Sequence, residues 1–389
     1  MEGIVTFGII SLLIVISPSI SNLTRLPVVV VEILLGAFGY YFGVFSHSHS
    51  LELVAEIGFL FLMFLCGLEV DLKTFTKQGW GFLKSAGIYF LTLYILAGIY
   101  VFYSGISEFY IIALPIMSLG MIMMLLKEYP KDTAWLVLAL NVGILGELVS
   151  IVLLVILNGA YSYGLNWELY KTLIVLFVFL SVIVGMFKIA NILFWWFPSL
   201  KFIVIPKETS KNQDIRFSAM LFLTMIGISY LLNLESALGA FLAGMILATY
   251  FQHKTGLVEK LNDFGFGFFV PLFFVYVGST LDLGLIFSDV NLFYSTLMII
   301  SAMVILRLVA AFVAYRKHFP TYIEVVQFAF SHAMPLTFLV ATAQLGREFK
   351  AISTQEYYAF ILAALLEAIL LIVAIKFISN FQKKKLKKA

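Results

Sequence analysis

Residues 134–157, AWLVLALNVGILGELVSIVLLVIL, decide how the rest of the chain is read. At a rise of about 1.5 Å per residue the stretch can cross the roughly 30 Å hydrocarbon core of a bilayer as one helix. A single ionisable residue, Glu147, stands near its middle. A carboxylate at that depth costs roughly 2.5–3.5 kcal/mol on insertion scales, so such residues face protein or water and mark paths for protons or ions. A permanently protonated carboxyl, hydrogen-bonded to a neighbour, is the structural alternative.

Working outward, the flanking sequence is of the same kind. The chain is 62% hydrophobic and 12% charged, with a mean hydropathy of +1.03, outside the range of soluble globular domains. Apolar runs fall at about 4–20, 26–43, 53–70, 82–103, 108–126, 134–157, 170–197, 216–233, 236–251, 264–280, 292–315, 321–345 and 356–380. Each reaches or approaches the roughly 17 residues that a membrane helix needs. They predict an all-α membrane protein of about thirteen transmembrane helices. The first run has no preceding Lys or Arg and no clear small-residue cleavage site, so it reads as a span and not as a cleaved leader. The run 236–251 is short and Gly-rich enough to be partly re-entrant.

Basic residues fix the orientation. Nineteen Lys and Arg lie in loops after odd-numbered spans or in the tail KKKLKK, against Lys171, Arg347 and Lys350 on the other side. That asymmetry predicts the N-terminus outside and the C-terminus in the cytoplasm. Following a membrane span, the tail reads as an anchor drawn to anionic lipid, so no nucleic acid is expected as a partner. The one cysteine, Cys66, excludes a disulfide framework and a thiolate metal cluster, and no cofactor is expected. With neither an HExxH sequence nor a repeated filter sequence, neither a hydrolase nor a channel is expected, and the chain does not read as an enzyme.

The two halves resemble each other. FLMFLCGLEVDL (61–72) matches LFFVYVGSTLDL (272–283), aligning Gly67 with Gly278 and Asp71 with Asp282 at an offset of 211. EILLGAF (32–38) matches ESALGAF (235–241), and Pro115 with Pro335 and Glu147 with Glu367 are each 220 residues apart. The order predicts two six-helix repeats, 1–157 and 216–380. A linker helix and cytoplasmic loop (158–215) join them, and a basic tail (381–389) follows. A separation of seven spans inverts the second repeat, and inverted repeats with interrupted helices are a known transporter plan. Pro115 and Pro335 fall inside the fifth and twelfth spans, where each removes a helix hydrogen bond. Bared backbone at membrane depth is tolerated where it is buried in protein or lines a wet cavity. Two broken, crossed helices are therefore expected, with simple kinks as the alternative.

Five segments then carry a resemblance: LPVVVVEILLGAFGYYFG, FLFLMFLCGLEVDL, ESALGAFLAGMILA, PLFFVYVGSTLDL and LRLVAAFVAYR. In this order, and over nearly the whole chain, they resemble the monovalent cation:proton antiporter-2 family. The resemblance implies a dimerisation domain, a core domain with two crossed broken helices, and transport by alternating access. It further implies a homodimer in a bacterial inner membrane that takes a monovalent cation (Na+ or K+) and protons. Sodium-coupled uptake of an organic anion on a similar architecture, or a non-transporting membrane sensor, are the alternatives. By position, the family's ion-binding carboxylate falls on Glu147; the family usually has Asp there after Asp, Asn or Gln, and this chain reads Gly146-Glu147. The basic residue of the eleventh span falls on Arg307, where Lys is common. Of the Ser/Thr-rich stretch usual in the fifth span only Ser118 is kept, and the twelfth span reads His332-Ala333-Met334-Pro335 where a Gly-Glu pair is frequent.

In this reading protons and cations compete for Glu147. Arg307 pairs with Glu147 or offsets bare carbonyls at the crossing, unless it snorkels to the cytoplasmic face. His332 either titrates near physiological pH or is a hydrogen-bonded helix residue. Ser118 and Thr337 offer oxygens to a cation. Asn141 precedes Glu147 by six residues, a turn of about 600°, and so lies on another face. Glu367 has no part in the family pattern and reads as structural or interfacial, while Glu69, Asp71 and Asp282 read as solvated span ends.

Overall fold

A computed structural model describes residues 2–24, 26–46, 48–68, 79–130, 133–163, 167–196, 213–234, 236–250 and 255–386. Glu69, Asp71, Glu235, the connector 197–212 and the last three tail residues lie outside the described residues. Seventeen α-helices follow in order: α1 Glu2–Thr24, α2 Val28–Tyr41, α3 His49–Leu68, α4 Trp80–Ser104, α5 Phe109–Ala113 and α6 Gly120–Glu128. They continue with α7 Ala134–Tyr163, α8 Trp167–Trp196, α9 Gln213–Leu231, α10 Ser236–Tyr250, α11 Thr255–Phe264, α12 Val270–Ser279 and α13 Leu283–Ser288. The last four are α14 Val290–Tyr315, α15 Tyr322–His332, α16 Leu336–Glu348 and α17 Thr354–Leu386. No strand occurs among the described residues.

Eight of these runs are long and apolar enough to cross a bilayer: Val5–Thr24, α3, α4, Ala134–Leu154, α9, Gly256–Ser279, α14 and Thr354–Ser379. The pair α15 and α16, bent by 44° at its break, makes a ninth. The shorter apolar helices α2 and α10, the apolar middle of α8 and the interrupted pair α5 and α6 fill the other spans read from the sequence. The protein is thus an all-helical integral membrane protein. Local chemistry sets several helix ends. Thr321 and Glu324 form a capping box that opens α15, and the Asp289 carboxylate accepts the Asn291 N–H at the start of α14. Gly105, at φ 65°, closes α4 in the left-handed region where a side chain is disfavoured.

By contacts the chain forms two compact units. The larger holds residues 1–51, 78–154 and 274–389. Its axis is α14, against which α4, α15 and α17 pack. The inward stripe of α14 (Leu292, Thr296, Ile299, Met303, Arg307 and Ala310) recurs every three or four residues, the spacing of one helix face. The smaller unit holds residues 52–77 and 155–273. Within it α9 packs on α10, and Phe61, Phe64, Phe222, Phe264 and Phe269 form a ring cluster with centroids 5.3–6.0 Å apart. One turn there departs from expectation: residues Gly265–Phe269 between α11 and α12 are π-helical. The run 236–251, short and Gly-rich enough to be partly re-entrant, forms one continuous helix over Ser236–Tyr250.

A duplicated contact recurs, once inside each unit. In the larger, α2 meets α12 backbone to backbone: a Cβ on Gly36 would lie 2.0 Å from the Val275 carbonyl oxygen, and one on Gly278 would lie 1.9 Å from that of Ile33. In the smaller, a Cβ on Gly244 would lie 2.0 Å from the Phe64 carbonyl oxygen, and one on Gly67 2.0 Å from that of Phe241. Gly67 and Gly278 correspond at the offset of 211 read from the sequence. Gly36 and Gly244, 208 residues apart, take the same place in the two contacts, while the Gly239 of ESALGAF packs on Met225.

Gly278→Ala forces a methyl group into the Ile33 carbonyl and is expected to cost about 1–3 kcal/mol as overpacking. Gly227→Ala, whose Cβ would meet nothing within 4 Å, is expected to leave stability unchanged or raise it by about 0.5–1 kcal/mol. Thermal unfolding of the purified protein in detergent checks both, and equal melting temperatures would remove the close approach as a determinant of the fold.

Candidate functional site at two helix breaks

The fifth span stops being helical at Ala113 and resumes at Gly120, with Pro115 in the gap. The twelfth stops at His332 and resumes at Leu336, with Pro335 capping the second piece. Each gap bares carbonyls that a continuous helix would satisfy internally. Arg307, fully buried, supplies donors to both. Its Nε donates to the His332 carbonyl at 2.9 Å; its Nη1 donates to the carbonyls of Leu114 at 2.8 Å and Met303 at 3.1 Å; and its Nη2 donates to that of Ile116 at 2.5 Å. Hydrogen bonds from a charged donor are roughly twice as strong as neutral ones. The guanidinium therefore fastens the two gaps together. A second link runs between hydroxyls: Ser118 Oγ and Thr337 Oγ1 lie 2.6 Å apart, both buried.

Helix α7 packs on the first gap through small residues. Gly146 lets the Met117 side chain lie against the helix, since a Cβ there would fall 2.2 Å from its sulfur. Ser150 Oγ accepts the Met117 N–H at 3.2 Å and donates to the Gly146 carbonyl at 2.7 Å. Glu147, with no exposed surface, is the next residue on this face. One turn earlier Gly143 lies beside Nε2 of His332, 3.7 Å from its would-be Cβ. The His332 Nδ1 lies 3.0 Å from the Phe328 carbonyl, and its ring packs on Phe328 and Tyr89 at centroid distances of 4.5 and 5.8 Å.

Of the residues singled out from the sequence, Arg307, Ser118, Thr337, His332, Pro115 and Pro335 come together at the gaps, with Glu147 on the helix that packs there. Asn141 is half-buried and off that face. The anticipated role of Arg307 as an offset to bare carbonyls has direct geometry here, whereas His332 contributes its main-chain oxygen and a helix-bonded ring. Ser150 was not singled out; its place one turn after Gly146 was the available signal. Glu367 lies fully buried within the electrostatic reach of Arg307. Among the described residues no group of three or more His, Cys, Asp or Glu side chains is arranged to hold a metal ion.

A family described as "Sodium/hydrogen exchanger, transmembrane" matches residues 9–380. YjbQ of Bacillus subtilis, whose name assigns it provisionally to Na(+)/H(+) antiport, is 27% identical over 370 residues. That match covers 88% of this chain, which spans 58% of the length of YjbQ. A Na(+)/H(+) antiporter of Enterococcus hirae is 28% identical over 311 residues, 76% of this chain and 78% of that one. The structure of the sodium proton antiporter MjNhaP1 from Methanocaldococcus jannaschii superposes with a TM-score of 0.69 over 97% of both chains. At 15% identity that likeness speaks for the fold alone.

Removing the guanidinium strands buried carbonyls at both gaps, each at a cost of about 1–3 kcal/mol. Arg307→Ala is expected to lower the melting temperature clearly. Arg307→Lys, a compact ammonium without the planar fork, should fall between the alanine variant and the native chain. An alanine variant that melts like the native protein would show that these bonds hold nothing together.

Proposed function

We propose, on the premise that the chain belongs to the sodium/hydrogen exchanger transmembrane family, that it is a secondary antiporter exchanging a monovalent cation, Na+ or K+, for protons by alternating access. The observation that carries the reading is the setting of Glu147. A fully buried carboxyl sits mid-span on the helix packed against a broken span, beside gaps whose carbonyls are bound by a buried arginine. One carboxyl can hold one proton or one monovalent cation, so the two compete. Exchange follows when that site opens first to one side of the membrane and then to the other. The hydroxyls of Ser118 and Thr337 would add neutral oxygens to a bound cation, which suits a hard ion. His332, bonded along its own helix, stands beside the route as a further group to test.

The same proposal covers the arrangement in the membrane. The six-helix units 1–157 and 216–380 are inverted repeats joined by 158–215, a reading supported by the glycine contacts that recur in the two compact units. The count of basic residues supports an N-terminus outside and a C-terminus in the cytoplasm of a bacterial inner membrane. The family resemblance supports a homodimer.

Glu147→Gln keeps the shape of the side chain and removes its titratable charge. The variant is expected to fold, to keep the oligomeric state of the native protein, and to lose cation–proton exchange in liposomes. Native rates of pH-driven Na+ or K+ flux through that variant would overturn the assignment.

A further inference from the structure

Three buried polar groups of the larger unit have no assigned part in the proposed cycle. Tyr89 on α4 and Tyr315 at the end of α14 are fully buried, and neither hydroxyl has a hydrogen-bond partner among the described residues. His332 on α15 is buried too, and its Nε2 is likewise without a partner. The rings stand in a row. His318, exposed just beyond the end of α14, lies 5.3 Å from Tyr315 between ring centroids; Tyr315 lies 5.7 Å from Tyr89, and Tyr89 lies 5.8 Å from His332. Phe328 packs on Tyr315, Tyr89 and His332 at 4.9, 5.6 and 4.5 Å. At the exposed end Ser85 Oγ, one turn before Tyr89 on α4, lies 3.3 Å from the His318 Nε2. At the buried end the His332 Nε2 lies beside Gly143, one turn before Glu147 on α7.

The tautomer of His332 shows what its second nitrogen needs. The Phe328 carbonyl, 3.0 Å from Nδ1, can only accept, so in the neutral ring the proton sits on Nδ1 and Nε2 is an acceptor. The Ala139 carbonyl of α7 also acts on this ring, without reaching normal hydrogen-bond geometry. Two acceptors cannot bond each other, so the neutral Nε2 requires a donor. Once Nε2 takes a proton, the Ala139 carbonyl can accept from it while the Nδ1 bond stays in place. A buried hydroxyl without a partner costs about 1–3 kcal/mol, and polar groups orphaned in an interior are commonly served by buried water. Phenol hydroxyls both donate to water and accept from it. Charged or titratable groups on the elements around the His332 ring are Tyr89 on α4, Glu147 on α7, Arg307 and Tyr315 on α14, and Glu367 on α17, with Glu324 at the far end of α15 itself.

We propose that Tyr315, Tyr89 and His332 hold a short file of water that carries protons, and not the metal cation, between the exposed end of α14 and Glu147. The proposal rests on the antiporter reading above and gives its proton a path of its own. Each passage balances. A proton arriving from water at Nε2 makes the imidazolium, Nε2 releases it to water on the Glu147 side, and the ring returns to its neutral form with the Nδ1–H bond to Phe328 unbroken. Each tyrosine hydroxyl gives one proton and takes one. A metal cation is excluded by the lining, because a hard ion seeks several oxygen ligands. The row offers two phenols, imidazole nitrogens and the face of Phe328, with no carboxylate among these contacts.

The test is exchange by the full chain in liposomes, with Na+ or K+ as the probe ion, comparing Tyr89→Phe, Tyr315→Phe and His332→Gln with the native protein. Phenylalanine keeps the ring and removes only the hydroxyl. Glutamine can still bond the Phe328 carbonyl, but its amide takes up no proton, and the main-chain oxygen that Arg307 binds is kept. Turnover is expected to fall about tenfold in each tyrosine variant, the weight of one hydrogen bond, and about a hundredfold in His332→Gln. The KM for the cation should stay native, since no cation ligand has been touched. The variants should also slow more in D2O than the native protein does, because proton passage has become the limiting step. Native turnover in all three variants would overturn the proposal. A raised KM with native turnover would overturn it as well, placing these residues in the cation site, and slowed variants without an added isotope effect would reduce them to packing. If His332→Gln does not fold, the two tyrosine variants, which keep every ring, decide the matter. Native exchange with unaffected variants sinks the proton path alone, whereas a native chain that exchanges nothing sinks the antiporter reading and the path with it.

Discussion

Four hydrogen bonds from one planar guanidinium hold this structure where its backbone is most vulnerable. Breaking a helix inside a membrane strips backbone carbonyls of their partners, and lipid offers none in return. The chain breaks two helices and brings the gaps within reach of a single guanidinium, which binds Leu114 and Ile116 on one side and His332 on the other. A lysine would bring a point charge with three rotatable donors, whereas the arginine fork reaches several fixed acceptors at once. The side chain can sit there because α14 runs unbroken for 26 residues and presents Met303, Arg307 and Ala310 along one inward face.

The surroundings serve that arrangement. Glycine at 146 and serine at 150 let α7 approach the first gap and bond its main chain, which carries Glu147 to the same place without a dedicated loop. The link between Ser118 and Thr337 ties the gaps through side chains where Arg307 ties them through backbone. Between them, charge, hydroxyl and small residue each compensate for a helix that is missing a turn.

Features that act through the backbone of a particular residue were legible in the sequence. Proline at 115 and 335 announced both gaps, and a lone glutamate in an apolar run announced the buried carboxyl. The correspondence of Gly67 with Gly278 announced a repeated crossing. What escaped notice depends on groups that every residue shares. The acceptors of Arg307 are main-chain oxygens, which carry no signature in the one-letter code, so the sequence left open whether it meets an acid, a carbonyl or the cytoplasmic surface. The wording Gly-Ala-Phe draws attention to Gly36 and Gly239, whereas the glycine that makes the contact like that of Gly36 is Gly244, against Phe64. The wider turn at Gly265–Phe269 left no mark beyond two glycines among phenylalanines.

The crossings of α2 with α12 and of α3 with α10 have a mechanical consequence. Most helix interfaces are cushioned by side chains that can change rotamer and let one helix slide past the other. Here main chain rests on main chain, so there is no layer in between to rearrange. Each crossing behaves as a welded joint between two struts, and displacement of one strut drags its partner with it. In the proposed cycle, motion is then expected where side chains or connecting segments form the bearing and not at these two joints.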